Sequence, residues 1–242
     1  MKVIGLISIL MATLISPFST QLSKFENDAI ETSAGKLSIY FIGHASLVFE
    51  FNGRTIYTDP WSNLADYSTL PKADLILITH QHQDHLDPKA INLIAKDGTQ
   101  YIETKDVHDE LKKGTIMKNG EKKTVDGIEI EAVPAYNTTE GRDKYHPKGR
   151  DNGYIITFGN KRVYVAGDTE DIPEMSTFKN IDIAFLPMNQ PYTMTPEQVV
   201  KAAKMINPKI LYPYHYGDTD VSKIKKQLAD DKTIDLRIRK LK

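Results

Sequence analysis

In the stretch LILITHQHQDHLDP (residues 75–88), His80, His82, Asp84 and His85 follow the pattern H-x-H-x-D-H behind an aliphatic run. Imidazole and carboxylate at this density suit Zn²⁺, and also Mn²⁺ or Fe. Where the chain stays extended, residues two apart point the same way, so His80 and His82 can grip one ion. Where it bends toward a helix, Asp84 and His85 turn to a neighbouring point, so one short segment supplies ligands for two metal positions. Two later strand ends add candidates. Asp168, in VAGDTE, is a carboxylate that could bridge two cations, with Gly167 letting the backbone come close. His215, in YPYHYG, closes another strand. Taken alone, Asp168 could be a helix N-cap and His215 a surface histidine. The chain contains no cysteine, so histidine and carboxylate must build any transition-metal site.

These residues need strands to carry them. KLSIYFI, SLVFEF and RTIYTD follow one another, the last two separated by Asn52-Gly53, a strong hairpin signal. ADLILITH (73–80) reads as a continuous strand covered on both faces. Pro88 starts a helix, and another is expected around 105–112. TQYIET, GTIMKNG, KKTVDG, IEIEAVPA, YIITFG, KRVYVAGD and IDIAFLP read as further strands. The polar loop at 136–153 is long enough to suggest a functional role. Thr195, Pro196 and Gln198 predict the best helix, with a capping box. A strand, a helix near 220–229 and a last strand IDLRIRK close the chain. No fixed-period repeat is visible. The order suits two packed sheets with helices outside, an α/β (α+β) domain over residues 37–242.

Residues 20–36 are polar and read as a linker. Before them, Lys2 and the uncharged run at 3–16 read as an export signal over residues 1–19, or as an uncleaved anchor. The expected location is therefore periplasmic or secreted, with membrane contact only through that segment. The 31 basic and 32 acidic residues leave a net charge of −1, which offers no broad attraction to nucleic acid.

H-x-H-x-D-H after a strand, G-D-T after a later one and a strand-end histidine near the C-terminus resemble the metallo-β-lactamase superfamily. IYFIGHASLVFEFNGRTIYTDPW (39–61), YTMTPEQ and YPYHYG are similar to its branch of small metal-dependent hydrolases that includes the ascorbate-6-phosphate lactonases. The resemblance runs from about residue 37 to 240. It implies an αββα four-layer sandwich with the metal site on one edge of the two sheets. It also implies that His80 and His82 hold a first metal, that Asp84, His85 and His215 hold a second, and that Asp168 bridges them. Asp59 matches the family's buried aspartate and is expected to orient a ligand, or else to be a turn residue before Pro60. The family's further histidine, just after IEIEAVPA, is missing, because Tyr136 and Asn137 stand there. His146, in the long loop, is the replacement expected.

The implied activity is metal-dependent hydrolysis of an ester, lactone, amide or phosphodiester of a small molecule. Two divalent ions would ionise a water that Asp84 aims. Asn189, Gln190 and Tyr192 are candidates to meet substrate, and so is Lys148 if the substrate is anionic; His44 reads either as a pocket residue that positions substrate or as a satisfied histidine beside a turn. His108 reads as an uninvolved surface position. The rival readings are a nuclease with the same dinuclear site, a di-iron oxygen- or nitric oxide-reducing protein, and an inactive metal-dependent binding protein. His82 opposes the di-iron reading, since such sites usually carry glutamate there.

Overall fold

The computed structural model describes residues 21–242. The export signal read at 1–19 lies outside the described residues. Strands β1 (Asn27–Thr32), β2 (Gly35–Gly43), β3 (Ser46–Phe51), β4 (Arg54–Thr58), β5 (Leu75–Leu77), β6 (Gln100–Glu103) and β7 (Thr115–Ile116) lie side by side as one sheet. A second sheet holds β8 (Lys122–Val125), β9 (Ile128–Ala135), β10 (Asp151–Phe158), β11 (Lys161–Val165), β12 (Ile183–Pro187), β13 (Ile210–Tyr214) and β14 (Asp235–Leu236), again in chain order.

Each sheet is built on one plan. Its first four strands are antiparallel neighbours, and the last three continue parallel. Helices α1 (Pro88–Ile94) and α2 (Lys105–Leu111) make the last two crossovers of the first sheet, and α3 (Pro196–Ile206) and α4 (Ser222–Gln227) the last two of the second. The repeat lies in topology and leaves no trace as a sequence period.

Aromatic and aliphatic side chains of the two inner faces form the central core, where Phe49 stacks on Phe158 at 5.5 Å and Phe185 on Tyr212 at 4.9 Å. Separate apolar layers lie under α1 and α2, and under α3 and α4. The result is the αββα sandwich. Local signals agree with it. Asn52 (φ 49°) and Gly53 (φ 74°) make the two-residue turn between paired Phe51 and Arg54. Asp87 caps α1, and the Thr195–Gln198 capping box opens α3.

Three sequence expectations need correction. Residues 20–36 are no mere linker, because β1 pairs with β2 from Asn27↔Tyr40 to Thr32↔Gly35 and Leu22 is fully buried. Its inward positions are Asp28, Ile30 and Thr32, so one aliphatic residue cannot announce a strand. Charge anchors it instead: Asp28 accepts from Arg239 Nη2 (2.9 Å), Arg237 Nη1 (3.0 Å) and the Tyr212 hydroxyl. The domain therefore starts before residue 37. The run 73–80 forms only three residues of strand, and IDLRIRK only two. Past Leu77 the chain turns away from its ladder toward the second sheet.

That departure builds the site. Tyr154 Oη donates to Ile78 O (2.8 Å), Asn152 N to Thr79 O (3.0 Å) and His215 N to His44 O (3.1 Å). These bonds join the sheets where β4, β5, β11 and β13 end.

Candidate metal centre

Six of the seven histidines converge at those strand ends. The nitrogens of His80, His82 and His146 form one group within metal-binding reach of one another. His85, His215, His44 and a carboxylate oxygen of Asp84 form a second. Asp168 lies against both: its Oδ2 is 3.4 Å from His146 Nε2 and 3.5 Å from His215 Nε2, and its Oδ1 is 3.4 Å from His85 Nε2.

The backbone is bent to present these groups. His44 (φ 51°), Asp59 (φ 44°) and His215 (φ 45°) all adopt the left-handed region that non-glycine residues avoid, and Gly167 (φ 65°) precedes Asp168. Strain of this kind, about 1–3 kcal/mol per residue, persists where the surroundings dictate it. A Cβ on Gly167 would stand 2.8 Å from Asn152 O. After β5, a turn closed by His85 N and Leu86 N on His82 O reverses the chain. It sends His85 inward and leaves Asp84 half-buried.

Behind these imidazoles stand hydrogen-bonding groups. Asp59 is fully buried and accepts from Thr79 N (2.8 Å) and Thr79 Oγ1 (2.7 Å), and its Oδ2 lies 2.9 Å from His85 Nδ1. His80 Nδ1 sits 3.0 Å from Thr79 Oγ1. A carboxylate behind an imidazole fixes its tautomer and frees Nε2 for a cation.

The electrostatics agree with metal binding. Burial, followed by the neighbouring imidazoles, pushes His80 well below its usual value and so keeps it neutral, the form in which an imidazole can take a metal. Burial opposes ionisation of Asp84, yet the neighbouring imidazoles of His215 and His44 hold its carboxyl far below the usual range. Burial likewise works against Asp168, and the imidazoles of His215, His85 and His146 overcome it.

A cation fits this arrangement. His85 Nε2, Asp168 Oδ1 and both ring nitrogens of His215 are buried without a hydrogen-bond partner. Orphaned polar atoms this dense are costly unless something not of the protein satisfies them. All the donors are nitrogen or oxygen, a set suited to Zn²⁺, Mn²⁺ or Fe.

The other candidates separate clearly. His44 lies closer in than a pocket wall would: its Nε2 is 3.1 Å from Asp84 Oδ2, and its ring packs 3.7 Å from His215 and 5.1 Å from Trp61. Only its place in the β2–β3 turn hinted at this. Tyr192 is exposed, edge-on to Tyr145, and its carbonyl accepts from Asn137 Nδ2 (2.7 Å). Asn189 closes the turn to Thr193, and Gln190 is held by Thr193 O and Arg142. Lys148 is engaged by Glu174 Oε1 (2.9 Å). His108 stays outside the cluster, but its Nδ1 lies 2.7 Å from buried Glu103 rather than in solvent. Sequence reading passed over Asp151, which is fully buried with Oδ2 3.2 Å from His146 Nδ1.

A family model described as a beta-lactamase superfamily domain matches residues 38–215. The UPF0173 metal-dependent hydrolase of Nanoarchaeum equitans is 31% identical over 195 residues, which is 77% of this chain and 87% of that protein. A crystal structure from Parabacteroides distasonis, described as a metal-dependent hydrolase, is 57% identical. It covers 90% of this chain and 100% of its own, with a TM-score of 0.88. A metallo hydrolase from Ignicoccus hospitalis is 27% identical over 85% of this chain and 95% of its own, with a TM-score of 0.72.

Proposed function

Because this chain belongs to the metallo-β-lactamase superfamily and to its metal-dependent hydrolases, we propose that it hydrolyses an ester, lactone, amide or phosphodiester of a small molecule at a dinuclear centre. His80, His82 and His146 would hold one ion, and Asp84, His85 and His215 the other, with Asp168 between them. Zn²⁺ is the ion that this nitrogen-rich set favours, with Mn²⁺ or Fe as alternatives. When bound, two such ions lower the pKa of a shared water toward neutrality and polarise the electrophile.

The chain's own residues do the remaining work. Asp84 is half-buried and ionised at neutral pH, so it can accept a hydrogen bond from the attacking water and aim it. His44 braces the same carboxylate oxygen at 3.1 Å. Asp59 holds His85 from behind. Trp61 beside His44, with Tyr145 and Tyr192 on the loop side, offers aromatic surface to an organic substrate. Asn189 and Gln190 are proposed to contact substrate from the neighbouring turn. Residues 1–19 are read as an export signal, so a periplasmic or secreted enzyme is proposed.

The observation that carries this reading is Asp168 within 3.4–3.5 Å of imidazoles from both groups. The test is reconstitution with Zn²⁺, Mn²⁺ or Fe²⁺, metal quantification, and turnover on a panel of lactones, carboxyl esters, phosphodiesters and β-lactams. Two equivalents of metal with metal-dependent turnover is the expected result. A tightly held metal pair with no turnover on the panel would instead make the protein a binding module.

A further inference from the structure

The third imidazole of the His80–His82 group comes from a loop, although a strand end is available beside it. Tyr136 and Asn137 follow β9 directly, and neither is an imidazole. The loop repairs this by folding back: Asn137 N donates to His146 O (2.9 Å), which draws His146 alongside that strand end. On the outgoing limb, buried Glu170 accepts from Thr138 N (2.8 Å), Thr139 N (2.7 Å) and Arg142 Nη1 (3.2 Å). A side chain borne on a loop is less well fixed than one on a strand, so its ring needs support from behind.

That support is Asp151, the first residue of β10, in register with Ala135 at the end of β9. Its Oδ2 faces His146 Nδ1, while Nε2 of the same ring faces Asp168. Arg150 grips both oxygens of Asp151, Nε to Oδ1 at 2.6 Å and Nη2 to Oδ2 at 2.8 Å. Nη2 also reaches Tyr145 O (2.7 Å), and Gln81, between His80 and His82, accepts from Arg150 Nη1 (3.1 Å) when its amide is turned over to put oxygen toward the guanidinium. The fork thus ties the loop to the H-x-H segment that it serves.

We propose that Asp151, clamped by Arg150, is a positioning residue that makes His146 a metal ligand by holding its proton on Nδ1 and its lone pair on Nε2. The proposal rests on the reading of His146 as a ligand. It gives the two ion positions one carboxylate–histidine pair each, Asp59–His85 and Asp151–His146. An asparagine at 151 offers a single acceptor oxygen to two donor groups, and its amide N–H₂ facing His146 would drive the proton onto Nε2.

Metal-free wild-type protein and the variants Asp151→Asn, Arg150→Gln, Asp59→Asn and His146→Ala are titrated with Co²⁺. Visible absorption reads ligand geometry and stoichiometry, and circular dichroism checks the fold. Wild type should take up two equivalents, and His146→Ala should weaken one of them. Asp151→Asn should weaken that same equivalent about 10–100-fold and leave the other intact, whereas Asp59→Asn should affect the other. Arg150→Gln should act in the direction of Asp151→Asn, less strongly. If Asp151→Asn retains both equivalents at wild-type affinity while His146→Ala loses one, the positioning role falls and the metal reading stands. If His146→Ala itself retains both, both ideas fall. Should Asp151→Asn fail to fold, Arg150→Gln decides: one weakened equivalent supports the proposal, and none overturns it.

Discussion

His85 Nε2 and Asp168 Oδ1 face each other across 3.4 Å, and neither atom has a hydrogen-bond partner. Opposed charge at that spacing, sealed from water, is what a cation would find on arrival.

Without metal, a proton takes the cation's place. Burial works against charge on His85, but Asp168 and Asp59 outweigh it and raise its pKa from 6.5 to about 10. An incoming ion must expel that proton. Apparent metal affinity should therefore rise about tenfold per pH unit up to about 10 and then level off. Calorimetry in buffers of different ionisation heat would count the proton released. The sign for stability follows from the same raised value. His85's contribution to the metal-free fold is complete below 6.5 and disappears as pH climbs through about 10, so melting temperature of chelated protein should fall across that window.

Asp84→Asn keeps the shape of the side chain and removes the charge that aims the water. Turnover should drop about 10²-fold, the cost of a misplaced reacting group. Steady-state kinetics at saturating metal would measure it. Unchanged kcat would remove Asp84 from handling the water.

Asp59→Ala strands Thr79 N, Thr79 Oγ1 and His85 Nδ1, all of which now meet its carboxylate. Each unsatisfied group costs about 1–3 kcal/mol, so a loss of about 3 kcal/mol or more is expected. Urea denaturation of the metal-free protein would show whether Asp59 supports the fold as well as the metal.

Gly167→Ala combines a left-handed backbone (φ 65°) with a Cβ 2.8 Å from Asn152 O and 3.1 Å from Thr79 Cβ. Those neighbours cannot swing aside. The conformational cost alone is about 1–2 kcal/mol, and displacement of Asp168 should weaken metal binding as well. Gly141→Ala is the control: φ is 78°, but nothing lies within 4 Å of the added atom. It should cost only about 1 kcal/mol and leave metal affinity unchanged. Denaturant melts and Co²⁺ titration of both variants test the contrast.

Chemistry was easier to read along the chain than its supports were. His80, His82, Asp84 and His85 announce themselves because residue type, spacing and the aliphatic run before them coincide. Asp168 and His215 could be found as polar residues ending apolar strands. Nothing local distinguishes Asp151 from any loop acid, because its role depends on a ring that joins the site only once the loop before it folds back. The strained turns at His44, Asp59 and His215 were equally hidden, since glycine is what usually signals positive φ. β1 escaped because an ion pair performs the anchoring for which hydrophobic pattern is the only sequence cue.

Two seven-stranded sheets with no ladder in common meet at this edge, and the donors are divided between them. His44, His80, His82, Asp84 and His85 belong to the first half of the chain, and His146, Asp168 and His215 to the second. Ions seated there would rivet two structurally equivalent lobes, so their extraction should loosen the whole molecule rather than one corner of it. Cut between β7 and β8, the fragments would be expected to find each other more readily in zinc than in chelator.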